Sequence, residues 1–203
     1  MGIIEHIKKV FGSDAGTPQD QHEPAESKPI PESFYIDTLE ADRVEKDRFF
    51  RSSPHSPITD RVSFTGLDYY PPDPAYRYTL KINQADEPEP LMFQTNTGDE
   101  RIYDRIGTIE FEVEGQPASL ALYKSDHHDE LFLPFRDATS GHETYGAGRY
   151  LEPEQLANGE VVVDFNLAYN PFCAFSSGYS CPLPPFENQL KIPIRAGEKD
   201  FTK

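Results

Sequence analysis

The chain has no tryptophan, two methionines and two cysteines in 203 residues. Two cysteines cannot complete a structural zinc site, which takes about four ligands, nor the bridge-dense framework of a small secreted domain. No run approaches the roughly 18 apolar residues needed to cross a bilayer, and no secretory apolar region is present. The expectation is a cytoplasmic protein without a membrane partner. Basic residues are also scarce, 19 Lys and Arg against 35 Asp and Glu, for a net charge of −16. The imbalance is spread along the chain: residues 1–42 hold nine acids to three bases, and residues 43–203 hold 26 to 16. That excludes general nucleic-acid binding, because affinity for phosphates depends on Lys and Arg displacing counterions. It also argues against an anionic membrane surface.

What is abundant is aromatic. Mean hydropathy is −0.65, yet there are 14 Phe and 11 Tyr, and a disordered chain carries few such rings. A compact domain with an aromatic core and an acidic surface fits both facts. Acid spread in this way suits a halophilic protein, since concentrated salt screens the self-repulsion while charge maintains solubility. The alternative is an ordinary acidic cytosolic protein.

Along the chain, residues 1–12 read as an amphipathic helix with Ile3, Ile4, Ile7, Val10 and Phe11 on one face. A helix this short is marginal alone, so it needs its own domain or a protein partner to pack on. Residues 13–32 are a Pro-rich acidic linker. A second helix is expected over 33–51, capped by Ser33 and ended by Pro54 and Pro57. From there the period is two. Strands are expected at 62–65, 76–82, 91–95, 108–113, 118–123, 130–135, 144–150, 161–165 and 190–194, with Glu114-Gly115 as a tight hairpin and 83–90 as a polar loop. Strands without intervening helices predict a mainly β fold, an antiparallel β-barrel or β-sandwich with one or two N-terminal helices, and a single domain over 33–203.

The dense polar motifs lie in 131–188: Phe135-Arg-Asp-Ala-Thr-Ser-Gly141, Glu143-Thr-Tyr-Gly-Ala-Gly-Arg-Tyr-Leu151, Val163-Asp-Phe-Asn-Leu-Ala-Tyr-Asn-Pro-Phe-Cys-Ala174 and Cys181-Pro-Leu-Pro-Pro-Phe-Glu-Asn188. Upstream are Arg51-Ser-Ser-Pro-His-Ser-Pro57 and Phe64-Thr-Gly-Leu-Asp-Tyr-Tyr-Pro-Pro-Asp-Pro-Ala-Tyr-Arg77, and near the end Arg195-Ala-Gly-Glu-Lys199. Over about residues 35–200 these segments resemble the family catalogued as domain of unknown function 1684. The resemblance implies no activity, so chemistry has to be read from the residues.

Strand alternation over 144–151 puts Gly146 and Gly148 on one face and Arg149 on the other, and glycines so placed mark the close approach of a backbone, ring or ligand. Arg149 can offer a planar fork to a carboxylate or phosphate. If 144–150 pairs with 161–165, Arg149 and Asp164 share a face, either as a structural ion pair or as part of a site. The turn at Arg136, Asp137, Thr139, Ser140 and Gly141 either satisfies its own amides or forms an anion-holding nest. The candidate lining of a pocket for a small polar or anionic ligand is Arg149, Asp164, Asn166, Tyr169, Asn170, Glu187 and Asn188. Rival readings are a hydrolase using Asp164 or Glu187, and a structural or adaptor module tethered through its N-terminal helix. The Gly-x-Ser-x-Gly elbow is absent. His127, His128, Asp129, His142 and Glu143 lack metal-ligand spacing, so neither metal nor cofactor is expected. Cys173 and Cys181 fit three readings: buried thiols, a disulfide, or a soft-metal or redox pair. Between them a loop stiffened by flanking prolines is expected to be a rigid flap over the polar residues, held by Asn170 and Asn188.

Overall fold

The structure, a computed structural model, describes residues 31–125 and 128–201, with backbone alone at His128 and Asp129. The expected helix 1–12, most of the linker, and His127 lie outside the described residues. The described residues fall into two units, one ending at Ser56 and the other beginning at Pro57.

In the first unit, helix α1 spans Glu32–Ser52, with Glu32 in its first turn and Arg51 in its last, the charge order the helix dipole favours. Pro31 stands at the N-cap position and no side chain caps the amides, so the expected Ser33 cap does not form. The helix closes with the Ser53 amide donating to Phe49 O at 2.8 Å, just before Pro54.

The second unit is built of strands β1 (Arg77–Lys81), β2 (Asn83–Gln94), β3 (Glu100–Val113), β4 (Gln116–Ser125), β5 (His128–Phe135), β6 (Arg149–Leu151), β7 (Glu154–Gln155) and β8 (Glu160–Asp164). They form two antiparallel sheets, ordered β1-β8-β7 and β2-β3-β4-β5-β6. The sheets do not close on one another, so of the two expected architectures the sandwich-like one is found. Glu114-Gly115 makes the expected hairpin. Both residues have positive φ (49° and 77°), as a two-residue turn matched to strand twist requires, and Val113 pairs with Gln116.

One core gathers the inward positions of both sheets: Ile109, Phe111 and Val113 of β3, Leu120 and Leu122 of β4, Leu131, Leu133 and Phe135 of β5, and Val161 and Val163 of β8. Phe165 lies at its centre, 5.3 Å from the Phe135 ring and 5.4 Å from Phe111. The other face of the larger sheet carries a run of rings. Phe93 meets Tyr103, Tyr103 meets Phe132, and Phe132 meets Tyr150, with centroids 4.8–5.2 Å apart.

Three expected strands and one expected loop are corrected. Residues 62–65 form no strand, because Asp60 Oδ1 captures the amides of Val62 and Ser63 in a local turn. Of 144–150 only the end is ladder, beginning at Arg149. Residues 190–194 form no strand, although Leu190 N donates to Arg136 O and Ile192 O accepts from Ala138 N. The expected loop 83–90 belongs to β2. It tolerates Pro88 and Pro90 because β2 is an edge strand, with its register shifted between Gln84 and Glu89.

Candidate functional site

Arg149 is 1% exposed, and its surroundings show why the motif block is so polar. Nη2 donates to Asp137 Oδ2 and to Ile194 O, both at 2.8 Å. Nη1 donates to Ala196 O and, at 3.1 Å, to Glu198 O. The four terminal N–H groups are thus all engaged by the chain itself, and the guanidinium carbon lies 5.2 Å from the Phe135 ring centre. Residues 194–198 join neither sheet, and Arg149 stands in for a neighbouring strand by holding three of their carbonyls. A burial this deep needs a counter-charge, and Asp137 supplies it. Asp137 Oδ1 is fixed in turn by the Thr139 amide and hydroxyl at 2.6 and 2.5 Å, and Thr139 Oγ1 lies 2.8 Å from Thr144 Oγ1.

The expected pairing of Arg149 with Asp164 does not form, because β6 pairs with β5 while β8 lies between β1 and β7. Asp164 instead accepts the Asn166 amide and Nδ2 on Oδ1, both at 3.0 Å, and its Oδ2 is 3.6 Å from Arg77 Nε. The turn at 137–144 keeps its amides too. Those of Ser140, Gly141, His142, Glu143 and Thr144 all donate to carbonyls within the turn, which leaves no anion nest. Gly148, with φ 102°, has no room for a side chain. A Cβ there would meet Phe135 O at 2.6 Å, so the close approach expected at this glycine is that of a backbone.

Two buried asparagines act as substitute peptide groups. Asn166 accepts from Asp73 N at 2.9 Å and donates to Asp73 O at 2.8 Å. Asn188, 0% exposed, accepts from Ala121 N at 2.7 Å and donates to Ala121 O and Pro134 O at 2.9 and 2.8 Å. The β4–β5 register pairs Tyr123 with Phe132, so Ala121 would face Pro134. Pro134 has no N–H to give, and the Asn188 amide provides the donor that the ladder lacks.

Glu187, beside it in sequence, points elsewhere. It accepts from Tyr123 OH at 2.5 Å and from Arg105 Nε at 3.1 Å, and its side chain is 38% exposed. Burial and this hydrogen bond push the Tyr123 hydroxyl well above its ordinary range. Tyr169 OH donates to Glu152, and Asn170 donates to Lys199 O at 2.7 Å while its amide donates to Glu198 Oε2 at 2.8 Å. The seven residues expected to line one pocket therefore divide. Arg149 and Asn170 hold the 194–199 segment, Asp164 and Asn166 hold the turn before β1 and its first residue, Tyr169 bonds Glu152, and Glu187 and Asn188 hold β4 and its neighbours. Asp137, the partner of Arg149, was missing from that set. Its only sequence signal is the Asp-x-Thr spacing of a self-capping turn.

The matched family supplies the context for these contacts. Residues 62–199 fit the family described as Protein of unknown function (DUF1684). The chain belongs to this family. The DUF1684 match takes in nearly the whole β unit, including every residue of the Arg149, Asn166 and Asn188 networks. The chain is also similar to the solution NMR structure of the uncharacterized protein from gene locus rrnAC0354 of Haloarcula marismortui, at 40% identity and a TM-score of 0.63, over 82% of this chain and 95% of that one. No curated protein matches it. Among the described residues no three His, Cys, Asp or Glu side chains gather as a metal would require, and no helix is long and apolar enough to cross a membrane.

Two further features of the DUF1684 domain carry chemistry. At the surface Arg195 grips Glu143 with Nε and Nη2 at 3.1 and 2.9 Å, and Tyr70 OH donates to Glu143 Oε2 at 2.9 Å. The Arg195 and Tyr70 bonds hold the Glu143 carboxyl below the ordinary carboxylate range, and burial followed by the Glu143 bond pushes Tyr70 to about 12. A depressed carboxyl stabilises the fold above its unfolded value of 4.5 and loses that contribution as pH falls through the folded one. The urea midpoint of Glu143→Gln should therefore lie slightly below wild type at pH 7, and the difference should close as pH falls through the folded value. A gap that persists in acid would show that the contribution is not ionic.

The second feature is the cysteine loop. Cys173 and Cys181 are free thiols, the first half-buried and the second buried. The expected anchors of this loop are corrected, because Asn170 and Asn188 bond elsewhere. Asn96 holds it, accepting from Cys181 N at 2.6 Å and donating to Tyr179 O at 3.0 Å, and Arg101 donates to Ser180 O at 2.8 Å.

Proposed function

We propose that this DUF1684 protein is a cytosolic adaptor whose motif block is scaffold, and whose partner-binding part is the N-terminal amphipathic segment. The observation that carries this is the Arg149 guanidinium, buried with all four terminal N–H groups bonded inside the chain. A residue so engaged has no fork left for a ligand. The hydrolase reading is weakened in the same way, since Asp164 and Glu187 both serve structural partners. Two free thiols support a reducing compartment, and the net charge of −16 supports a halophilic setting.

One observation favours a ligand instead. Asn170 Oδ1 is buried and has no hydrogen-bond partner among the described residues, so it could accept from a small polar molecule. One set of melts separates the readings. Full-length protein is melted with a panel of polar and anionic metabolites, at low and high KCl. The adaptor reading expects no metabolite to raise the melting temperature, a rise with KCl, and complexes that are lost when residues 1–31 are deleted while the melt of the domain is unchanged. A metabolite whose stabilisation disappears in Asn170→Ala would establish the ligand reading.

A further inference from the structure

The two sheets differ greatly in strand length. β3 has 14 residues, roughly 45 Å of strand, whereas β1 and β8 have five each, roughly 16 Å. The smaller sheet therefore covers the inner face of the larger one only in part, over the end where Ile109, Phe111 and Val113 are buried. Further along β3 the same face is bare. On β4, Leu120, Leu122 and Lys124 share the inner face by alternation, and Lys124 stands opposite Asp104, so Asp104, Ile102 and Glu100 face inward too. Across the ladder Ile102 pairs with Met92, and the two are 55% and 56% exposed. Rows of Pro90 with Asp104 and Gln94 with Glu100 flank them. The outer face of these rows is covered, because Leu91 and Tyr103 pack there with Phe93 and Tyr123.

An apolar pair on the free face of a hairpin whose outer strand is a sheet edge invites association. Its surroundings select the occupant. Gln94 Nε2 holds Glu100 Oε1 beside the pair at 2.7 Å, and residues 57–203 carry 24 acids against 12 bases. An apolar stripe edged with cations fits such a surface. The chain carries one itself. Residues 1–12, outside the described residues, hold Ile3, Ile4, Ile7, Val10 and Phe11 at helical spacing, with Lys8 and Lys9 against the single acid Glu5. Eighteen residues, 13–30, separate this segment from Pro31, and a chain of that length reaches about 20–25 Å.

We propose that the partner of this segment is the β unit of a second copy, with residues 1–12 laid on the bare Met92–Ile102 end of β2 and β3 and exchanged reciprocally in a twofold dimer. The proposal rests on the adaptor reading and names its partner. Reciprocal exchange occupies both surfaces and closes the assembly at two chains. The aliphatic residues cover Met92 and Ile102, and Lys8 and Lys9 meet the acidic rim. Salt screens the second contact and spares the first, so the dimer persists in concentrated KCl.

Light scattering after size exclusion tests this on the full chain. Wild type should have a mass of about 46 kDa, twice the 23.0 kDa of one chain, at low and high KCl. Ile4→Glu/Ile7→Glu and Met92→Glu/Ile102→Glu should each be monomeric. Met92 and Ile102 are exposed, so their replacement should leave the circular dichroism spectrum unchanged. An equimolar mixture of the two variants should regain a dimer, because one keeps an intact β-unit surface and the other an intact segment. The proposal is overturned if Met92→Glu/Ile102→Glu stays dimeric, if the mixture stays monomeric, or if Ile4→Glu/Ile7→Glu still pairs through its Met92–Ile102 faces alone. A wild-type monomer that loses complexes with other proteins on Ile4→Glu/Ile7→Glu overturns the second copy as partner and leaves the adaptor reading standing. If no complex of any kind depends on Ile4 and Ile7, both fall.

Discussion

Arg149→Met is expected to unfold the β unit, or to leave it melting roughly 6–20 °C below wild type. The side chain is 1% exposed, and its removal strands a buried Asp137 carboxylate together with three carbonyls, those of Ile194, Ala196 and Glu198. Breaking one member of a buried pair costs about 3–5 kcal/mol, and for a domain of this size each kcal/mol moves the melt by about 2–4 °C. Arg149→Lys should also fail, because a single ammonium cannot reach four acceptors arranged around a planar fork. Arg105→Ala is the control. Its partner Glu187 is 38% exposed, and the change should stay within about 1 kcal/mol in urea unfolding. An Arg149→Met variant equally close to wild type would show that the clamp does not hold the 194–198 segment.

Asn188→Asp should be nearly as severe, at about 3 kcal/mol or more. The substitution removes the two N–H bonds to Ala121 O and Pro134 O and sets a carboxylate oxygen against those carbonyls in a site with no solvent access. The damage should be pH-dependent in a diagnostic way. Once protonated, the introduced carboxyl regains one donor, so the gap to wild type should narrow as pH falls toward about 4–5 and widen above it. Asn188→Ala lacks that proton, and its gap should stay flat. If both variants behave alike, charge against carbonyl is not the cause.

How far these arrangements could be read in advance depended on how local their causes are. The Glu114-Gly115 hairpin was legible because turn chemistry and the alternation on either side lie within a few residues. The helix at Glu32–Ser52 was legible from its period and the prolines that follow. Residues 190–194 alternate like a strand, yet their carbonyls bond to Arg149 and to single loop amides, a choice made some 45 residues away. Strand parity put Arg149 and Asp164 on suitable faces but says nothing about which strands become neighbours, and Asp137 won through the β5–β6 pairing. Asn188 stood out as a polar residue in a proline-rich stretch. Its task became visible only once Pro134 was seen opposite Ala121. The prolines at 88 and 90 argued for a loop because a central strand excludes them, whereas the edge position of β2 does not.

The Arg149 clamp also sets an order of events on the ribosome. The β3–β4 hairpin and its neighbours can begin to pair as soon as they emerge, but the guanidinium that must be buried beside Phe135 finds its carbonyl partners only in residues 194–198. At roughly 5–20 residues per second, the 45-residue gap from Arg149 to Ile194 leaves a nascent chain for several seconds with a charged group that cannot yet be enclosed. The β unit therefore cannot mature vectorially from its N-terminal side.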